Sequence, residues 1–499
     1  MMETVLVANR GEVARRVFRA CESMGLDTVA VYSDADEDAV FVDEADAAVR
    51  IGPPRSAASY LDQDAVIEAA ERTGADAIHP GYGFLAENHV FAQRVIDEGL
   101  TWVGPTPDTM ATMADKVEAR ELAIETGVPV SPGSEGVVED VSRARKIADD
   151  VGYPVMLKAR AGGGGMGMRV AGDGDQLAEA FTEASSQAEA AFGDGALFLE
   201  KFVERPRHIE VQILGGPDGE ILHLGERECS IQRRHQKLVE EAPSPALDAD
   251  TREELGAMAR RLAEAADYVN AGTLEFLYED GNFYFNEVNA RLQVEHPVTE
   301  LVTGIDLVRE QLRVAQGRQP SFTQDEVTFE GHAIELRVNA EDPYDEFTPR
   351  FGTIDHFEPA QGPHIRVDHG LQTGYEVPAE YDSLLAKLVG WGSTRKQAIE
   401  RLREAVNTTQ IGATTNLPLH RRILEDSAFQ EGELSTKYLD ERGIVDALAE
   451  EGARVEERSR RRAAALAAAL AMGPKGGIGV TYHRQSRPRR LDGNEEGSR

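Results

Sequence analysis

Polar and apolar residues alternate near position 285 and place oxygen donors on one side of a predicted strand. In Phe283–Asn289 the alternation puts Glu287 and Asn289 on the same face. Carboxylate and amide oxygens of this kind suit Mg²⁺. Glu275, on the preceding strand, joins them only if the hairpin carries an extra residue, because a strict two-residue turn pairs Glu275 with Asn286 and turns it away. The alternative interpretation is a solvated polar face.

An anion-binding pattern follows this strand directly, in the residues Arg291-Leu-Gln293-Val294-Glu295. The planar guanidinium of Arg291 can bind a carboxylate-like anion such as bicarbonate through two hydrogen bonds. Glu295 would then be placed to act as a general base. The alternative is an exposed Glu–Arg ion pair.

A glycine run, Gly162–Gly165, lies between two predicted strands, and Lys158 precedes it. Glycines let backbone N–H groups approach phosphate oxygens, and Lys158 would neutralise phosphate charge. Because a strand rather than a helix follows, the run is neither a P-loop nor the loop of a dinucleotide fold. Taken alone, it is also compatible with a flexible hairpin turn.

The charge composition excludes two classes of partner. The chain has 499 residues, 88 acidic and 53 basic, and a net charge of −35. Such a surface repels nucleic acid and anionic membranes. Any anion site must be locally basic, and the run Arg233–Lys237 (RRHQK) is the local exception. The charge indicates either a self-repelling soluble protein or, as we expect, a halophilic one, because molar salt screens charges beyond ~3 Å.

Cysteine content and hydropathy indicate the compartment. Cys21 and Cys229 are too few for a disulfide framework and suit a reducing cytosol. The charged residues Arg10 and Glu12 interrupt the apolar start of the sequence too early for the apolar region of a signal peptide, so we expect no signal peptide. No apolar stretch is long enough for a membrane span. These features predict a cytoplasmic protein.

Strand and helix periodicity divides the chain into lobes. Residues 1–113 alternate strands and helices, as in a doubly wound parallel sheet, and 114–130 form a helical connection. Residues 131–203 form a small lobe around the glycine run, and 204–445 carry long antiparallel strands. The tail, 446–499, is polar or Ala-rich and predicted to be partly disordered. The fold class is therefore α/β together with α+β.

Several motifs, in order from residue 3 to about 440, resemble those of the biotin carboxylase family of the ATP-grasp superfamily. They are HPGYGFLAEN (79–88), MADKVEAR (113–120), KARAGGGGMGMRV (158–170), EKFVERPRHIEVQIL (200–214), ERECSIQRRHQKLVEEAP (226–243), FNEVNARLQVEHPVTE (285–300), ELRVNAEDP (335–343) and YDSLLAKL (381–388). RRHQK and RLQVEHPVTE together are highly specific. The resemblance implies an ATP-grasp lid domain in 131–203 and a catalytic, carboxyl-terminal domain in 204–445.

The resemblance also implies a role for each matching residue. The implied nucleotide contacts are Lys116, Lys158, Gly164, Gly165, Glu200, Lys201, Val203, His208 and His235. The implied Mg²⁺ or Mn²⁺ ligands are Glu275, Glu287 and Asn289. The implied bicarbonate and biotin groups are Lys237, Arg291, Gln293 and Val294, with Glu295 as the base and Arg337 as the stabiliser of the enolate-like biotin oxygen.

The implied reaction has two steps. Bicarbonate attacks the γ-phosphate of ATP to give carboxyphosphate, which collapses, and the biotin ureido nitrogen captures the CO₂. The implied partners are a second copy of the chain, a biotin carboxyl carrier protein or domain, and a carboxyltransferase subunit. Three alternatives remain: the biotin carboxylase subunit of a two-subunit pyruvate carboxylase, a different ATP-grasp ligase, and a weakly active regulatory paralogue.

The chain departs from the family pattern at the glycine run and in the tail. Arg160 stands where the family has a small residue, and Met166 stands where it has a cation. We expect Arg160 to take over the phosphate contact. In the tail, Lys475 lacks the Met-Lys-Met context of a biotinyl lysine, which favours a separate carrier protein.

Overall fold

The computed structural model describes residues 2–160 and 167–471, and the structural statements that follow concern those residues. The chain divides into two units, Met1–Ala449 and Glu450–Arg499. All predicted site residues belong to the first unit. Gly164, Gly165 and Met166 lie outside the described residues.

The first lobe is a parallel sheet with strand order β3-β2-β1-β4-β5. Its strands are β1 (Thr4–Val7), β2 (Asp27–Ser33), β3 (Ala47–Gly52), β4 (Ala77–His79) and β5 (Thr101–Trp102). Its helices are α1 (Gly11–Met24), α2 (Val40–Glu44), α3 (Gln63–Thr73), α4 (His89–Asp97), α5 (Pro107–Ala114) and α6 (Lys116–Glu125). The strand order reverses between β1 and β4, so the loops after these strands border the crevice in which such sheets bind ligands. The predicted doubly wound sheet is confirmed.

Side-chain caps set the helix ends that border this crevice. The Asp115 carboxylate accepts hydrogen bonds from the N–H groups of Val117 and Glu118 and so fixes the start of α6. Lys116 is therefore the first residue of that helix. The Asn9 side chain donates to the carbonyls of Pro80 and Tyr82, at 2.7 Å each, and ties the loop after β1 to the loop after β4.

A small second lobe packs two helices on a three-stranded antiparallel sheet of order β7-β6-β8. Its elements are α7 (Val141–Val151), β6 (Val155–Ala159), β7 (Arg169–Ala171), α8 (Gly174–Phe192) and β8 (Leu197–Lys201). Apolar residues of these elements form a core of their own, with Leu157, Leu177 and Leu199 buried at its centre. We call this part the lid lobe.

The third lobe contains an eight-stranded antiparallel sheet of order β13-β12-β9-β10-β11-β14-β21-β19 and, in its described residues, six short strands outside that sheet. In chain order its strands are β9 (Arg207–Gly215), β10 (Ile221–Arg233), β11 (Gln236–Ala242), β12 (Asn270–Glu279), β13 (Asn282–Asn289), β14 (His332–Asn339), β15 (Glu341–Asp342), β16 (Thr348–Pro349), β17 (Gly352–Thr353), β18 (Phe357–Glu358), β19 (Ile365–His369), β20 (Glu376–Val377), β21 (Leu384–Gly392) and β22 (Gln410–Ile411). The short strands pair as β15–β16, β17–β20 and β18–β22. The predicted combination of a parallel and an antiparallel sheet is confirmed.

Further helices lie between these strands in sequence and after them. They are α9 (Ala249–Ala265), α10 (His296–Thr303), α11 (Leu307–Ala315), α12 (Arg395–Thr408), α13 (Leu417–Glu425), α14 (Ser427–Glu431), α15 (Tyr438–Glu441) and α16 (Ile444–Ala471). The predicted tail is thus helical as far as Ala471, since Ala, Arg and Glu favour helix, and residues 472–499 lie outside the described part. Within the described residues, none of the helices combines the length and apolar character that crossing a bilayer requires.

Candidate active site

A cleft of about 2060 Å³ borders all three lobes of the first unit. The predicted site residues in its lining are Lys116, Lys158, Glu200, Lys201, Val203, His208, His235, Lys237, Glu275, Glu287, Asn289, Arg291, Gln293, Val294 and Arg337. Glu295 lies behind this wall and is fully buried. The fold therefore brings all of the predicted site residues that the structure describes to one cleft, although they are far apart in sequence.

The β12–β13 hairpin has the extra residue that the predicted metal site requires. Phe276 pairs with Phe285, but Glu275 pairs with Glu287, so Asn286 is inserted as a bulge. Beyond the bulge, Glu275 and Glu287 lie directly opposite each other and point to one face. The register that the metal interpretation requires is therefore present in the structure.

The donor set at this hairpin fits a hard divalent cation. Two carboxylates and the Asn289 amide share the face, and such oxygens are the ligands that Mg²⁺ prefers. Lys116 Nζ lies 2.8 Å from Glu287 Oε2, and Lys237 Nζ lies 2.8 Å from Glu275 Oε1. Burial raises the pKa of Glu275, but the Lys237 and His208 charges hold it well below its usual range. Glu275 therefore carries the negative charge that a metal ion needs.

Glu295 lies between two cations at the base of the cleft. Its Oε1 accepts a hydrogen bond from Lys237 Nζ at 2.7 Å, and its Oε2 accepts one from Arg337 NH2 at 2.9 Å. Burial raises the pKa of the Glu295 carboxyl, but the charges of Lys237, Arg337 and Arg227 outweigh burial and hold the pKa well below its usual range. The carboxylate is thus anionic and oriented, as a general base must be.

Arg291 presents a held guanidinium to the same cleft. Its NH1 donates to Gln293 Oε1 at 2.9 Å, its NH2 donates to Asn289 Oδ1 at 3.0 Å, and its Nε lies 3.2 Å from Glu87 Oε2. Gln293 Nε2 in turn lies 3.3 Å from Glu275 Oε1. A fixed, partly exposed guanidinium beside an amide donor is an arrangement that binds a planar oxyanion.

The lid lobe contributes two lysines, Lys158 and Lys201, to the lining of the cleft. Lys158 Nζ forms an ion pair with Glu200 and donates to Asn286 Oδ1 at 3.1 Å. Lys201 Nζ donates instead to the carbonyls of Gly152 and Tyr153, at 3.1 and 2.7 Å. The Lys201 side chain is therefore held within the lid lobe, away from the oxyanion group.

The two predicted histidines have different surroundings. His208 is buried, and its Nε2 lies 3.0 Å from Glu275 Oε2. Burial lowers the pKa of His208, but the charge and hydrogen bond of Glu275 together with the charge of Glu210 outweigh burial, so the net pKa is above the usual value. His235 is exposed at the turn between β10 and β11, in a left-handed conformation with φ of 66°. It reaches the cleft from the rim.

Three charged residues of the site were missed by the sequence prediction. Glu210 accepts hydrogen bonds from Lys237 and Arg227, and Glu240 accepts one from Arg337 Nε. Glu210 follows His208 by two positions in an alternating strand, so a same-face rule was the signal that could have found it. Arg227 and Glu240 lie inside matched motifs, but their type and spacing alone do not distinguish them from surface charges.

Arg160, which we expected to contact phosphate, is engaged by acidic residues. Its NH2 lies 2.9 Å from Asp194 Oδ2, and its Nε lies 3.6 Å from Asp115 Oδ2. Its side chain is 43% exposed, so these contacts leave it in reach of solvent. Asp194 was not in the prediction because it lies in the turn after α8, far from the motif in sequence.

Comparisons with known proteins identify the family of the chain. Family models match along most of the chain: the biotin carboxylase N-terminal domain at residues 1–110, the carbamoyl-phosphate synthase L chain ATP-binding domain at 115–321, and the biotin carboxylase C-terminal domain at 335–441. Biotin carboxylase of Nostoc sp. is 51% identical over 441 residues, covering 88% of this chain and 99% of that protein. A pyruvate carboxylase subunit of Methanothermobacter thermautotrophicus is 49% identical over 447 residues, covering 89% and 91%.

Solved structures are similar over the same span. The biotin carboxylase domain dimer of Hydrogenobacter thermophilus 2-oxoglutarate carboxylase, in complex with MgADP, ADP and bicarbonate, superposes with a TM-score of 0.86 at 46% identity, covering 89% of this chain and 98% of that one. Biotin carboxylase of Campylobacter jejuni, in a β-γ-ATP complex, gives 0.86 at 43% identity, covering 88% and 99%. The matches cover most of the chain in both sequence and fold, and the chain belongs to the biotin carboxylase family.

Proposed function

We propose that this chain uses ATP and bicarbonate to carboxylate biotin. The observation that carries the proposal is Glu295, a buried carboxylate held between Lys237 and Arg337 beside a cleft large enough for a nucleotide. A carboxylate in this position can remove a proton from a small anion that the surrounding cations bind. The Hydrogenobacter structure contains MgADP, ADP and bicarbonate, and anions of this kind are what the cations of this cleft could bind.

The nucleotide phosphates would be bound by Lys116 and Lys158, which face the cleft from α6 and β6. Glu275, Glu287 and Asn289 would hold Mg²⁺ or Mn²⁺, which supplies positive charge against the transferring phosphoryl group. In this structure Lys116 is bonded to Glu287, and phosphate oxygens would replace that carboxylate as its partner. Glu287 would then be available to the metal ion.

In the first step, Glu295 takes the hydroxyl proton of bicarbonate. The freed oxygen attacks the γ-phosphorus of ATP, the bond to the β–γ bridging oxygen breaks, and ADP leaves. Lys237 and Arg291, with the Gln293 amide, would bind the bicarbonate anion and orient that oxygen. The product of this step is carboxyphosphate.

In the second step, the bond between the carbon and the bridging oxygen of carboxyphosphate breaks, giving CO₂ and phosphate. The biotin ureido nitrogen attacks the CO₂, and its proton passes to the phosphate, which is a strong base. Negative charge develops on the ureido oxygen, and Arg337 would stabilise it. Arg337 is 16% exposed toward the cleft and reaches Glu295, so the two steps share one charged network.

We also propose the partners that such a reaction needs. Biotin is delivered by a carrier protein or domain, and a carboxyltransferase subunit uses the carboxybiotin. A homodimer is supported by the dimeric Hydrogenobacter structure. The acceptor is an acyl-CoA of the acetyl or propionyl type, which places the enzyme in fatty acid metabolism, and the second candidate is pyruvate, because the Methanothermobacter relative belongs to a pyruvate carboxylase. The free, buried Cys21 and Cys229 support a reducing, cytoplasmic location.

The test is ADP release by the purified chain with ATP, Mg²⁺, bicarbonate and free biotin. We expect release to depend on both bicarbonate and biotin. Lys237→Gln should abolish the increase in ADP release that bicarbonate causes. ADP release that ignores both small molecules would indicate a different ATP-grasp ligase. No release under any condition would favour the weakly active regulatory paralogue.

A further inference from the structure

Glu335 is a buried carboxyl that the proposed reaction leaves unexplained. It lies on β14, two residues before Arg337, and is fully buried. Across the sheet it pairs directly with Glu240 of β11. Among the described groups, neither oxygen of Glu335 accepts a hydrogen bond, and the same holds for Glu240 Oε2. Three of the four oxygens of these two neighbouring buried carboxyls therefore accept no hydrogen bond from the described residues.

The neighbouring cations are already bound to other groups. Arg337 donates from Nε to Glu240 Oε1 at 2.5 Å and from NH2 to Glu295 Oε2 at 2.9 Å. Lys387, buried on β21, donates to the Val294 carbonyl at 3.0 Å and lies 3.1 Å from Glu12 Oε2. Glu335 is left without a cation of its own, so its negative charge would be buried and uncompensated.

A proton resolves this arrangement. Two adjacent carboxyls in a dry interior cannot both ionise, and one proton shared between them satisfies both. We infer that Glu335 is protonated at neutral pH, that it shares the proton with Glu240, and that it is a positioning residue for Arg337. With Glu335 neutral, Glu240 is the one carboxylate of the pair that Arg337 binds, and the other arm of the guanidinium is free to hold Glu295.

The surroundings of the pair support the inference. Burial raises the pKa of Glu335 well above its usual range, and the charge of Glu240 adds to that rise against the lowering effect of Lys387. Burial likewise raises the pKa of Glu240, to about 7. The titratable and charged groups that interact with the pair are Arg337 on the strand of Glu335, Lys387 on β21, Glu295 at the start of α10, Lys237 on β11, Cys229 on β10, and Tyr82 of the first lobe, whose hydroxyl donates to Glu12.

Loss of the proton would act on the reaction through Arg337. A second negative charge beside Glu240 would draw the guanidinium away from Glu295 and from the biotin oxygen. Carboxylation should therefore fall as the pH rises and Glu335 ionises. This consequence rests on the proposed function, whereas the protonation of Glu335 does not.

Stability provides a test that needs no activity. A carboxyl whose pKa is raised in the folded state contributes stability that is present at acid pH and lost as the pH rises through that pKa. Glu335→Gln keeps the shape of the neutral acid and cannot ionise. The melting temperature of Glu335→Gln should therefore rise relative to the unmodified protein as the pH increases from about 6 to about 9.

Glu241→Gln is the matched control. Glu241 is the next residue on β11, equally buried, but it is bound by Arg395 and His332, and its pKa is lowered to about 2. Its substitution should lower the melting temperature by an amount that does not change between about pH 6 and about pH 9, because Glu241 is ionised throughout. Equal pH dependence in the two variants would overturn the assignment.

Infrared spectroscopy reads the proton directly. The protein should show the C=O stretch of a buried carboxylic acid at neutral pH, and Glu335→Gln should lack it.

In carboxylation assays, the unmodified enzyme should lose activity at alkaline pH, and Glu335→Gln should keep a larger share of its own neutral rate. An unchanged infrared band together with an unchanged alkaline limb would refute the inference. If the variant does not fold, loss of the band from the unmodified protein at alkaline pH supports the inference, and absence of the band at neutral pH overturns it.

Discussion

The Glu295 carboxylate is fully buried and bound on both oxygens, which fixes its charge and its direction. A depressed pKa makes a carboxylate a weak base in isolation. Bicarbonate entering the cleft would accept a hydrogen bond from Lys237 and so weaken the ion pair between Lys237 and Glu295. The pKa of Glu295 would then rise when bicarbonate binds, and Glu295 would become a stronger base. Substrate binding is in this way coupled to proton transfer.

Glu295→Gln tests this role, because it keeps the shape of the side chain and removes its basicity. We expect the rate of biotin carboxylation to fall by roughly 10²–10⁴-fold, the range for loss of a general base. The Kd for ATP, measured by calorimetry, serves as the control and should hardly change, since Glu295 lies behind the cleft wall. Near-normal turnover would remove Glu295 from the mechanism.

Arg160 provides a second prediction at this scale. Its ion pair with Asp194 is partly exposed, and such pairs contribute about 0–1 kcal/mol, whereas a charge-assisted hydrogen bond to phosphate contributes about 1.5–3 kcal/mol. Arg160 can therefore exchange Asp194 for a phosphate. Arg160→Ser should raise the KM for ATP roughly tenfold or more, and adding Met166→Lys should restore it.

Asp194→Asn separates this idea from a structural role. If Arg160 binds phosphate, releasing it from Asp194 should lower the KM for ATP. If Arg160 and Asp194 only brace the lid lobe, Asp194→Asn and Arg160→Ser should weaken ATP use alike. The second pattern would contradict the compensation.

Motifs were sufficient to select most of the residues that the structure brings to the cleft, but not the partners that hold them. Glu275, Glu287 and Arg291 could be assigned because each stands in a short, recognisable pattern. Glu240 and Asp194 could not, because the sheet pairing and the turn that bring them to Arg337 and Arg160 depend on the whole fold. The charge of a residue in a buried network is set by neighbours that no local pattern reveals.

At the scale of elements, the bulge in β13 decides whether the hairpin can hold a metal ion. The sequence posed this as a condition, since both registers were compatible with the pattern. The structure has the bulge, with Lys158 bonded to the inserted Asn286 at 3.1 Å. The register was not predictable from the Asp-Gly turn, because a residue beyond the turn resets the pairing.

Helix α13 positions Arg337 from the far side of the sheet. The Arg337 carbonyl accepts hydrogen bonds from Asn416 Nδ2 at 2.9 Å and from His420 Nε2 at 2.6 Å. Burial lowers the pKa of His420 to about 4, so the ring is neutral near pH 7 and its Nε2 serves as the donor. The strand that carries Arg337 is therefore fixed by a helix that does not reach the cleft.

His420→Ala tests this support. Loss of one buried hydrogen bond costs about 1 kcal/mol, so we expect a several-fold rise in the KM for biotin with little change in the Kd for ATP. His420→Gln is the matched variant, because its amide can still donate to the Arg337 carbonyl, and it should recover most of the loss. Equal effects of both variants on biotin and ATP would indicate a general loss of packing instead.

At the scale of the whole molecule, net charge is the dominant feature. A charge of −35 on 499 residues is self-repelling, while the cleft concentrates buried cations around a few carboxylates. ATP and bicarbonate must cross that negative field before they meet Lys116, Lys237 and Arg291. Both folding and substrate entry should therefore depend on ions that screen the surface.

The halophilic interpretation predicts loss of activity and of cooperative melting on dialysis from molar to millimolar salt. The screening length grows from ~3 Å at 1 M to ~30 Å at 0.01 M, so surface carboxylates repel one another across the molecule. Restoring KCl should restore both properties, and sucrose at equal osmolality should not, because it carries no charge. Equal stability and activity at both extremes would refute the halophilic interpretation and leave the enzymatic one standing.

The most direct test of the proposed reaction follows the oxygen of bicarbonate. In the mechanism derived from Glu295, a bicarbonate oxygen attacks the γ-phosphorus and stays on phosphorus when the carbon–oxygen bond breaks. With ¹⁸O-labelled bicarbonate, ATP and biotin, mass spectrometry should find one labelled oxygen in each phosphate released. It should also detect the carboxyl group on biotin. ATP cleavage that yields unlabelled phosphate would mean that water attacks the nucleotide, and it would contradict carboxylation through carboxyphosphate.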